Sequence, residues 1–241
     1  MSSYPYDLVL FDLDGTLIET APEIADACND TLQASGFPAA PLETVTSWIG
    51  HGTRELLIKA FADAMGTTTD AIRNSEGFPA LEQTFGRHYL QRCGTRSTLY
   101  PQVRETLEAL SAQGVKLGVV TNKEERYTRV VIDAHNLRSV LDVVISGDSL
   151  PVKKPNPLAI EQCIERFGTT AERTIFIGDS SIDIETARRA GIAVWALPYG
   201  YNMGKPIEEA GADRVIENVS ALLPANLVSA ETPSSRGDLS T

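Results

Sequence analysis

The stretch VLFDLDGTLIET, residues 9–20, decides the fold. It begins with apolar residues typical of a buried strand and then places two aspartates, Asp12 and Asp14, one residue apart, directly before Gly15. Two carboxylates repel each other, and aspartate does not favour a strand. An Asp-Gly pair is common in turns. The two aspartates therefore either cap a turn or surround a positively charged group.

Short runs rich in Val, Ile and Leu alternate with helical patterns along the rest of the chain. The first run covers residues 7–11, and the sequence predicts further strands at 115–120, 142–145, 174–177, 192–197 and 214–216. The segment 157–168 between two runs begins with Pro157 and ends at Gly168, as helices often do. Strands that alternate with helices predict an α/β fold with a doubly wound parallel sheet.

One long interval interrupts this alternation. Residues 18–96, called the helical insertion below, carry helical patterns and no convincing strand. We therefore predict an α/β core domain at 1–17 and 97–224, and a second, helical domain at 18–96. Residues 225–241 are polar and unpatterned, so we expect them to be disordered.

Composition excludes several classes of partner and compartment. The 241-residue chain has a net charge of −11, which argues against nucleic acid and anionic membranes as partners. Its cysteines, Cys28, Cys93 and Cys163, form no CxxC pair, as expected in a reducing compartment. The N-terminus lacks the basic region of a signal peptide, and no apolar stretch has the length of a membrane span. We expect a cytoplasmic protein.

Polar residues follow several of the predicted strands. In an open parallel sheet, ligands bind beyond the carboxyl ends of the strands. Besides Asp12 and Asp14, the residues at or near these ends are Thr121, Asn122, Lys123, Lys153, Lys154, Asp179, Ser180 and Asp183. Each alone could cap a helix or lie in a loop. Together at one edge of a sheet, they predict a functional site.

The chemistry of these groups indicates phosphoryl transfer. The carboxylates of Asp12, Asp14 and Asp179 are hard oxygen ligands that suit Mg²⁺. A carboxylate beside the metal could attack phosphorus and form an aspartyl-phosphate. Thr121, Asn122 and a lysine could hold the phosphoryl oxygens as charge redistributes. The predicted substrate is a small phosphorylated metabolite.

Four segments resemble the motifs of the haloacid dehalogenase superfamily. They are FDLDGTL (11–17), VVTNK (119–123), KKPNP (153–157) and IGDSSIDI (177–184), in this order. The resemblance implies a haloacid dehalogenase-like, Rossmannoid sheet. It also implies that residues 18–96 form a mobile helical cap, hinged near Glu19 and Thr20.

The same resemblance implies a role for each motif residue. Asp12 would be the nucleophile and Asp14 the general acid and base. Thr121 and Asn122 would bind phosphate, while Lys154 would neutralise the nucleophile and the phosphate. Mg²⁺ would be held by Asp12, Asp179 and the backbone carbonyl of Asp14, and Asp183 with Ser180 would support these ligands from outside.

The presence of Asp14 limits the class of reaction further. Family members that cleave carbon–halogen or carbon–phosphorus bonds lack an aspartate at this position. A phosphate ester leaves as an alkoxide that needs a proton, and water must later lose one. This pattern predicts phosphoester hydrolysis.

Two less specific segments resemble bacterial phosphoglycolate phosphatases. They are WIGHGTRELL (48–57) and YGYNMG (199–204), and they imply hydrolysis of 2-phosphoglycolate to glycolate and phosphate. His51 and Arg54 would then contact the substrate. Equally, the first segment could simply be a helix start, with Thr53 capping and Arg54 solvated.

Other functions on this fold remain open at this point. A phosphatase for a sugar phosphate, such as N-acetylmuramate 6-phosphate, would use the same motifs. A phosphoglucomutase would use the same two aspartates and return the phosphoryl group to a sugar. A non-catalytic phosphate-binding protein is disfavoured, because binding alone needs no nucleophile.

Overall fold

A six-stranded parallel sheet forms the centre of the computed structural model, which describes residues 4–224. Its strands are β1 (Leu8–Phe11), β4 (Lys116–Val120), β5 (Val143–Ile145), β6 (Thr174–Gly178), β7 (Ala193–Ala196) and β8 (Arg214–Val215). Their order across the sheet is β5-β4-β1-β6-β7-β8. All six predicted strands are confirmed, and so is the doubly wound α/β fold. The tail at 225–241, which the sequence predicts to be disordered, lies outside the described residues.

Strand β1 occupies the middle of the sheet and sets the position of the site. All four of its residues are fully buried, and Phe11 lies opposite Val119 of β4 and Ile177 of β6. The carboxyl ends of the three strands therefore meet. The residues that follow them come together at this edge, as expected for parallel strands.

Nine helices are described within residues 4–224. Those of the helical insertion are α1 (Ala21–Ala34), α2 (Leu42–Thr46), α3 (Thr53–Met65), α4 (Thr69–Arg73) and α5 (Phe78–Arg92). Those that flank the sheet are α6 (Val103–Ala112), α7 (Glu125–Ala134), α8 (Leu158–Phe167) and α9 (Ser181–Ala190). No helix in the described range is long and apolar enough to cross a membrane.

A short ribbon joins the two ends of the helical insertion, and the sequence did not predict it. Strand β2 (Ile18–Glu19) pairs antiparallel with β3 (Thr98–Leu99). Two-residue strands are too short to show the alternation that marks a strand. The Glu23 carboxylate strengthens this junction by accepting hydrogen bonds from the backbone amides of Arg96 (3.3 Å) and Ser97 (3.1 Å).

Alternate residues of β1 supply two apolar clusters, one on each face of the sheet. Leu8 and Leu10 belong to the cluster that also contains residues of α8 and α9. Val9 and Phe11 belong to a larger cluster that continues into the helical insertion, where it includes Phe61. The insertion is thus packed onto the sheet edge that carries the polar residues.

Candidate active site

The Lys154 ammonium bridges two carboxylates at the end of β1. Its Nζ lies 3.0 Å from Asp12 Oδ1 and 2.7 Å from Asp183 Oδ1, and its side chain is only 2% exposed. Burial alone would lower the pKa of Lys154, but the two carboxylates raise it above its usual value. Lys154 therefore stays charged. Its neighbour Lys153 instead donates to the backbone carbonyl of His51, at 2.7 Å.

The second oxygen of Asp183 organises the start of α9. Asp183 Oδ2 accepts hydrogen bonds from the Asp179 amide (3.2 Å), the Ser180 amide (3.0 Å) and Ser180 Oγ (2.6 Å). Ser180 and Asp183 together form a capping box. With both oxygens engaged, Asp183 fits the supporting position that the resemblance implies.

Asp179 lies in a tight backbone pocket. Its Oδ1 accepts a hydrogen bond from Thr16 Oγ1 at 2.6 Å, and its Oδ2 accepts one from the Tyr201 amide at 2.5 Å. A Cβ atom on Gly15 or Gly200 would overlap the carboxylate, so only glycine leaves room for it. Burial raises the pKa of Asp179 well above its usual value, and the nearby Asp183 and Asp12 carboxylates raise it further.

These groups fit a divalent cation. Carboxylate oxygens of Asp12, Asp179 and Asp183 lie within 4.8 Å of one another. Within the described residues, the site holds four carboxylates (Asp12, Asp14, Asp179, Asp183) and the buried ammonium groups of Lys123 and Lys154. Burial raises the pKa of Asp12 to about 6; Asp183 and Asp14 also raise it, while Lys154 lowers it. A cation with hard oxygen preferences, such as Mg²⁺, would relieve this excess of negative charge.

Asp14 has different partners from Asp12. Its Oδ1 accepts hydrogen bonds from Thr20 Oγ1 at 2.6 Å and from Lys123 Nζ at 2.9 Å, and Oδ2 lies 3.2 Å from the same Nζ. Lys123 Nζ also contacts the hydroxyl of Tyr89, a residue of α5. Burial alone would lower the pKa of Lys123, but the Asp14 carboxylate raises it above its usual value.

Thr121 and Asn122 both lie at the site, but their side chains differ in their hydrogen-bond partners. The Thr121 hydroxyl oxygen accepts from the Lys123 amide at 3.3 Å, which leaves its proton for a ligand. Asn122 Nδ2 donates to the backbone carbonyls of Gly50 and Lys154, each at 3.1 Å. The Asn122 amide hydrogens are therefore engaged, so its predicted contact with phosphate requires an exchange of partners. Its Oδ1 has no hydrogen-bond partner among residues 4–224.

The loop before α3 reaches the site. Gly50, Gly52 and Thr53 line the cavity above the aspartates. The Thr53 hydroxyl donates to the carboxylate of Glu124, which follows the VVTNK motif. With the Lys153 and Asn122 contacts described above, these bonds hold the helical insertion closed over the sheet edge.

In this structure the side chains of Arg54 and His51 do not line the cavity, and their contact with substrate stays a prediction. Arg54 Nη1 lies 2.7 Å from Glu82 Oε2, and its guanidinium stacks 4.6 Å from the Phe78 ring centroid. Helix α3 turns this side chain toward α5. Neither His51 nor Arg54 is among the described residues that line the cavity. The open alternative was a helix start at this point, and Thr53 is indeed the first residue of α3, although Gly52 occupies the cap position.

Several residues at the site were not identified from the sequence. Tyr89, Tyr201 and the apolar residues Ile24, Ile49 and Leu56 also line the cavity. Tyr201 lies in the YGYNMG segment, and its hydroxyl accepts from the amides of Thr20 (2.9 Å) and Ala21 (3.0 Å). That motif could have suggested Tyr201. Nothing in the helical pattern around Tyr89 distinguishes it from a core residue.

Comparison with known proteins gives a consistent result. A family model described as haloacid dehalogenase-like hydrolase matches residues 9–197. A phosphoglycolate phosphatase of Vibrio parahaemolyticus is 36% identical over 95% of this chain and 100% of its own length. One from Nitrosospira multiformis is 38% identical, covering 89% of this chain and 93% of its own.

Solved structures agree with the sequence relatives. A crystal structure described as a predicted phosphoglycolate phosphatase from Haemophilus somnus superposes with a TM-score of 0.85. It is 34% identical in sequence, and the match covers 91% of this chain and 97% of that one. The resemblance of the four motifs is thereby confirmed at the level of the whole chain. This protein belongs to the haloacid dehalogenase-like hydrolases.

Proposed function

We propose that the protein hydrolyses 2-phosphoglycolate to glycolate and phosphate, with Mg²⁺ and through an aspartyl-phosphate on Asp12. As a haloacid dehalogenase-like hydrolase with phosphatase relatives, the protein is a phosphoric monoester hydrolase. We choose 2-phosphoglycolate as the substrate because those relatives are named phosphoglycolate phosphatases. The observation that carries the mechanism is that Asp12 and Asp14 lie side by side with separate lysine partners.

Asp12 is well arranged for nucleophilic attack. Its Oδ1 accepts from the Leu13 amide at 2.7 Å and faces Lys154, while Oδ2 has no hydrogen-bond partner among the described residues. One oxygen is thus anchored, and the other can attack phosphorus. Lys154 balances the charge of Asp12, and the Thr121 hydroxyl can donate to a phosphoryl oxygen.

Asp14 moves the proton in both half-reactions. In the first, a bond forms between Asp12 Oδ2 and phosphorus while the ester P–O bond breaks, and protonated Asp14 gives its proton to the departing alkoxide. In the second, Asp14 takes a proton from water, which attacks the aspartyl-phosphate and releases phosphate and free Asp12. The two half-reactions together consume one ester and one water.

Asp12, Asp179 and the Asp14 carbonyl are the groups that would hold Mg²⁺. The chemistry it supplies when bound is electrostatic, namely neutralisation of carboxylate and phosphoryl charge. The closed loop of Gly50, Gly52 and Thr53 would exclude bulk water from the reacting atoms. The apolar walls at Ile24, Ile49 and Leu56 suit a small leaving group better than a hydrated sugar.

A substrate panel tests the proposal. We would measure phosphate release with Mg²⁺ from 2-phosphoglycolate, N-acetylmuramate 6-phosphate and 4-nitrophenyl phosphate, and the isomerisation of glucose 1-phosphate. We expect kcat/KM for 2-phosphoglycolate to exceed the others by at least about tenfold. Asp12→Asn should abolish every activity. Preference for the sugar phosphate, or glucose phosphate isomerisation above hydrolysis, would overturn the substrate assignment.

A further inference from the structure

We propose that Lys123 is a positioning residue that orients Asp14 for proton transfer and links that orientation to the helical insertion through Tyr89. The inference rests on the proposed function, because it assumes that Asp14 is the acid and base. It goes beyond it by giving a role to Lys123, which the proposed function names only as the partner of Asp14.

The contacts of Lys123 connect two parts of the fold. The residue lies just beyond the end of β4, and its Nζ contacts both oxygens of Asp14, at 2.9 and 3.2 Å. The same Nζ contacts the Tyr89 hydroxyl and lies 4.8 Å from the centroid of the Tyr89 ring. Asp14 belongs to the sheet edge, whereas Tyr89 belongs to α5 of the helical insertion. One ammonium group therefore joins the two.

Tyr89 is a rigid partner for this ammonium group. It is fully buried, and its ring packs 4.5 Å from Tyr127 and 5.3 Å from Phe85, measured between centroids. Gly86, one turn earlier in α5, leaves room for the Tyr127 hydroxyl, because a Cβ there would lie 3.3 Å from it. Tyr89 can therefore fix the position of Lys123 only when α5 is packed against the sheet edge.

A purely structural role would not require this pair of charges. Burying an ammonium and a carboxylate costs desolvation energy, and apolar residues of similar size often stabilise a protein at least as well. A reacting group, by contrast, must be held closely in place, since a displacement of about 1 Å can cost about 100-fold in rate. Contact with both Asp14 oxygens restricts rotation of the carboxylate, with Thr20 as the other anchor.

This role predicts a particular dependence on the leaving group. An alkyl phosphate releases a strongly basic alkoxide and needs the acid in the first step, whether or not it carries a carboxylate. A nitrophenyl phosphate releases a weak base and does not. Loss of Lys123 should therefore slow the first step with alkyl phosphates and largely spare it with nitrophenyl phosphate.

The test compares three variants in the full chain with Mg²⁺. Lys123→Met removes the ammonium, and Tyr89→Phe removes the hydroxyl but keeps the ring. Lys116→Met is the matched control: Lys116 begins the same strand β4 and pairs with Asp142 at 2.7 Å, far from the site. The substrates are 2-phosphoglycolate, ethyl phosphate, which lacks the carboxylate, and 4-nitrophenyl phosphate, with its burst of nitrophenol measured by stopped flow.

For Lys123→Met we expect kcat to fall about 100-fold with both alkyl phosphates and KM to change little. The nitrophenol burst rate should fall by less than about tenfold, because that step needs no acid. Tyr89→Phe should show the same pattern with a smaller loss of kcat. If Lys123→Met fails to fold, as judged by circular dichroism, the Tyr89→Phe variant tests the inference in its place. Lys116→Met should match the wild type.

Two results would overturn the inference. If Lys123→Met raises KM for 2-phosphoglycolate and leaves ethyl phosphate unchanged, Lys123 binds the substrate carboxylate. If the burst rate falls as much as the alkyl kcat, in the folded Lys123 variant or in Tyr89→Phe, the contact is structural. Failure of the proposed function would look different: the wild type would not hydrolyse 2-phosphoglycolate, or Asp12→Asn would remain active.

Discussion

Lys154 and Lys123 are both 2% exposed, and each pairs with one aspartate of the FDLDGTL motif. Their surroundings differ. Among the described residues, Lys154 Nζ pairs with Asp12 and Asp183 and lies 5.3 Å from the centroid of the Phe176 ring in β6, whereas Lys123 contacts Asp14 on the sheet edge and Tyr89 in the helical insertion. The ion-pair partner of Asp12, the proposed nucleophile, thus comes from the sheet domain. The surroundings of the proposed acid and base depend on the packing of the insertion.

This difference suggests that the sheet edge and the helical insertion contribute to different steps of the reaction. Because the partners of Asp12 lie in the sheet domain, we propose that the metal site there does not depend on closure of the insertion. The groups around Asp14 are assembled only when Tyr89 and Lys123 meet, so proton transfer is tied to closure.

The largest effect should come from removing the metal. Asp12 and Asp179 are neighbouring carboxylates whose pKa values are raised by burial and by nearby carboxylates, so without a cation they repel each other and the phosphate. Chelation should reduce turnover to background, and added Mg²⁺ should restore it. Mg²⁺ at about 100 times its Kd should also stabilise the fold by about 2.7 kcal/mol, as measured by denaturant unfolding. Full activity in chelator would contradict this account.

Removing the Lys154 ammonium, which pairs with Asp12 and Asp183, should lower both the free energy of unfolding and the activity. Lys154→Met leaves Asp12 and Asp183 facing each other without a counter-ion. We expect the free energy of unfolding to fall by about 3–5 kcal/mol and turnover to be lost. The half-exposed pair of Lys116 and Asp142 provides the control, because Lys116→Met should cost no more than about 1 kcal/mol. An equal loss of stability in the two variants would contradict the claim that Asp12 and Asp183 need Lys154 as a counter-ion.

In the metal-free protein, the free energy of unfolding should depend on pH in a way that reveals the raised pKa of Asp12. Burial raises the pKa of folded Asp12 to about 6, from an ordinary value of 3.8, so the folded state binds this proton more tightly than the unfolded state. The contribution of Asp12 to stability is therefore highest below the unfolded value and falls as pH rises toward about 6. Asp12→Asn lacks this dependence.

In chelator, Asp12→Asn should be more stable than the wild type at pH 7, by a margin that narrows as the pH is lowered toward 4.5. Urea unfolding of both proteins at each pH measures the margin. Because the two proteins differ at one side chain, titrating groups far from Asp12 cancel in the comparison. A margin that widens on acidification would mean that the pKa of Asp12 is lowered instead.

The smallest effect should come from Arg54→Ala. The Arg54 guanidinium pairs with Glu82 and stacks on Phe78, away from the cavity, so kcat/KM for 2-phosphoglycolate should change by less than about threefold. Steady-state kinetics with a melting curve would check this. A loss of about 100-fold confined to 2-phosphoglycolate would restore Arg54 as a residue that binds the substrate carboxylate.

The sequence predicted what depends on parallel strand topology. Once six parallel strands were predicted, Asp12, Thr121 and Asp179 were expected at one edge of the sheet, because each follows a strand. That they are neighbours there follows from the strand order β4-β1-β6, which the structure shows. The roles of Lys154 and Asp183 came from the motif resemblance, and both residues lie beside Asp12.

What the sequence did not predict depends on packing between the insertion and the sheet. Lys123 and Tyr89 are 34 residues apart, and helical periodicity marks Tyr89 only as apolar. The ribbon of β2 and β3 was missed because two residues carry no pattern. Arg54 was assigned to the substrate from its motif, but the rotation of α3 about its axis, which turns Arg54 toward Glu82, is set by tertiary packing.

The most direct test of the account is to find the phosphoryl group on the protein. Asp14→Asn, mixed with 4-nitrophenyl phosphate and Mg²⁺, should release nitrophenol in a burst, because attack by Asp12 needs no acid with this leaving group. The aspartyl-phosphate should then accumulate, because no base activates water. After an acid quench, mass spectrometry should find one phosphoryl group on the peptide that contains Asp12, and none in a variant that also carries Asp12→Asn. Nitrophenol release with Asp12 unmodified throughout would contradict the central claim that this aspartate is the nucleophile.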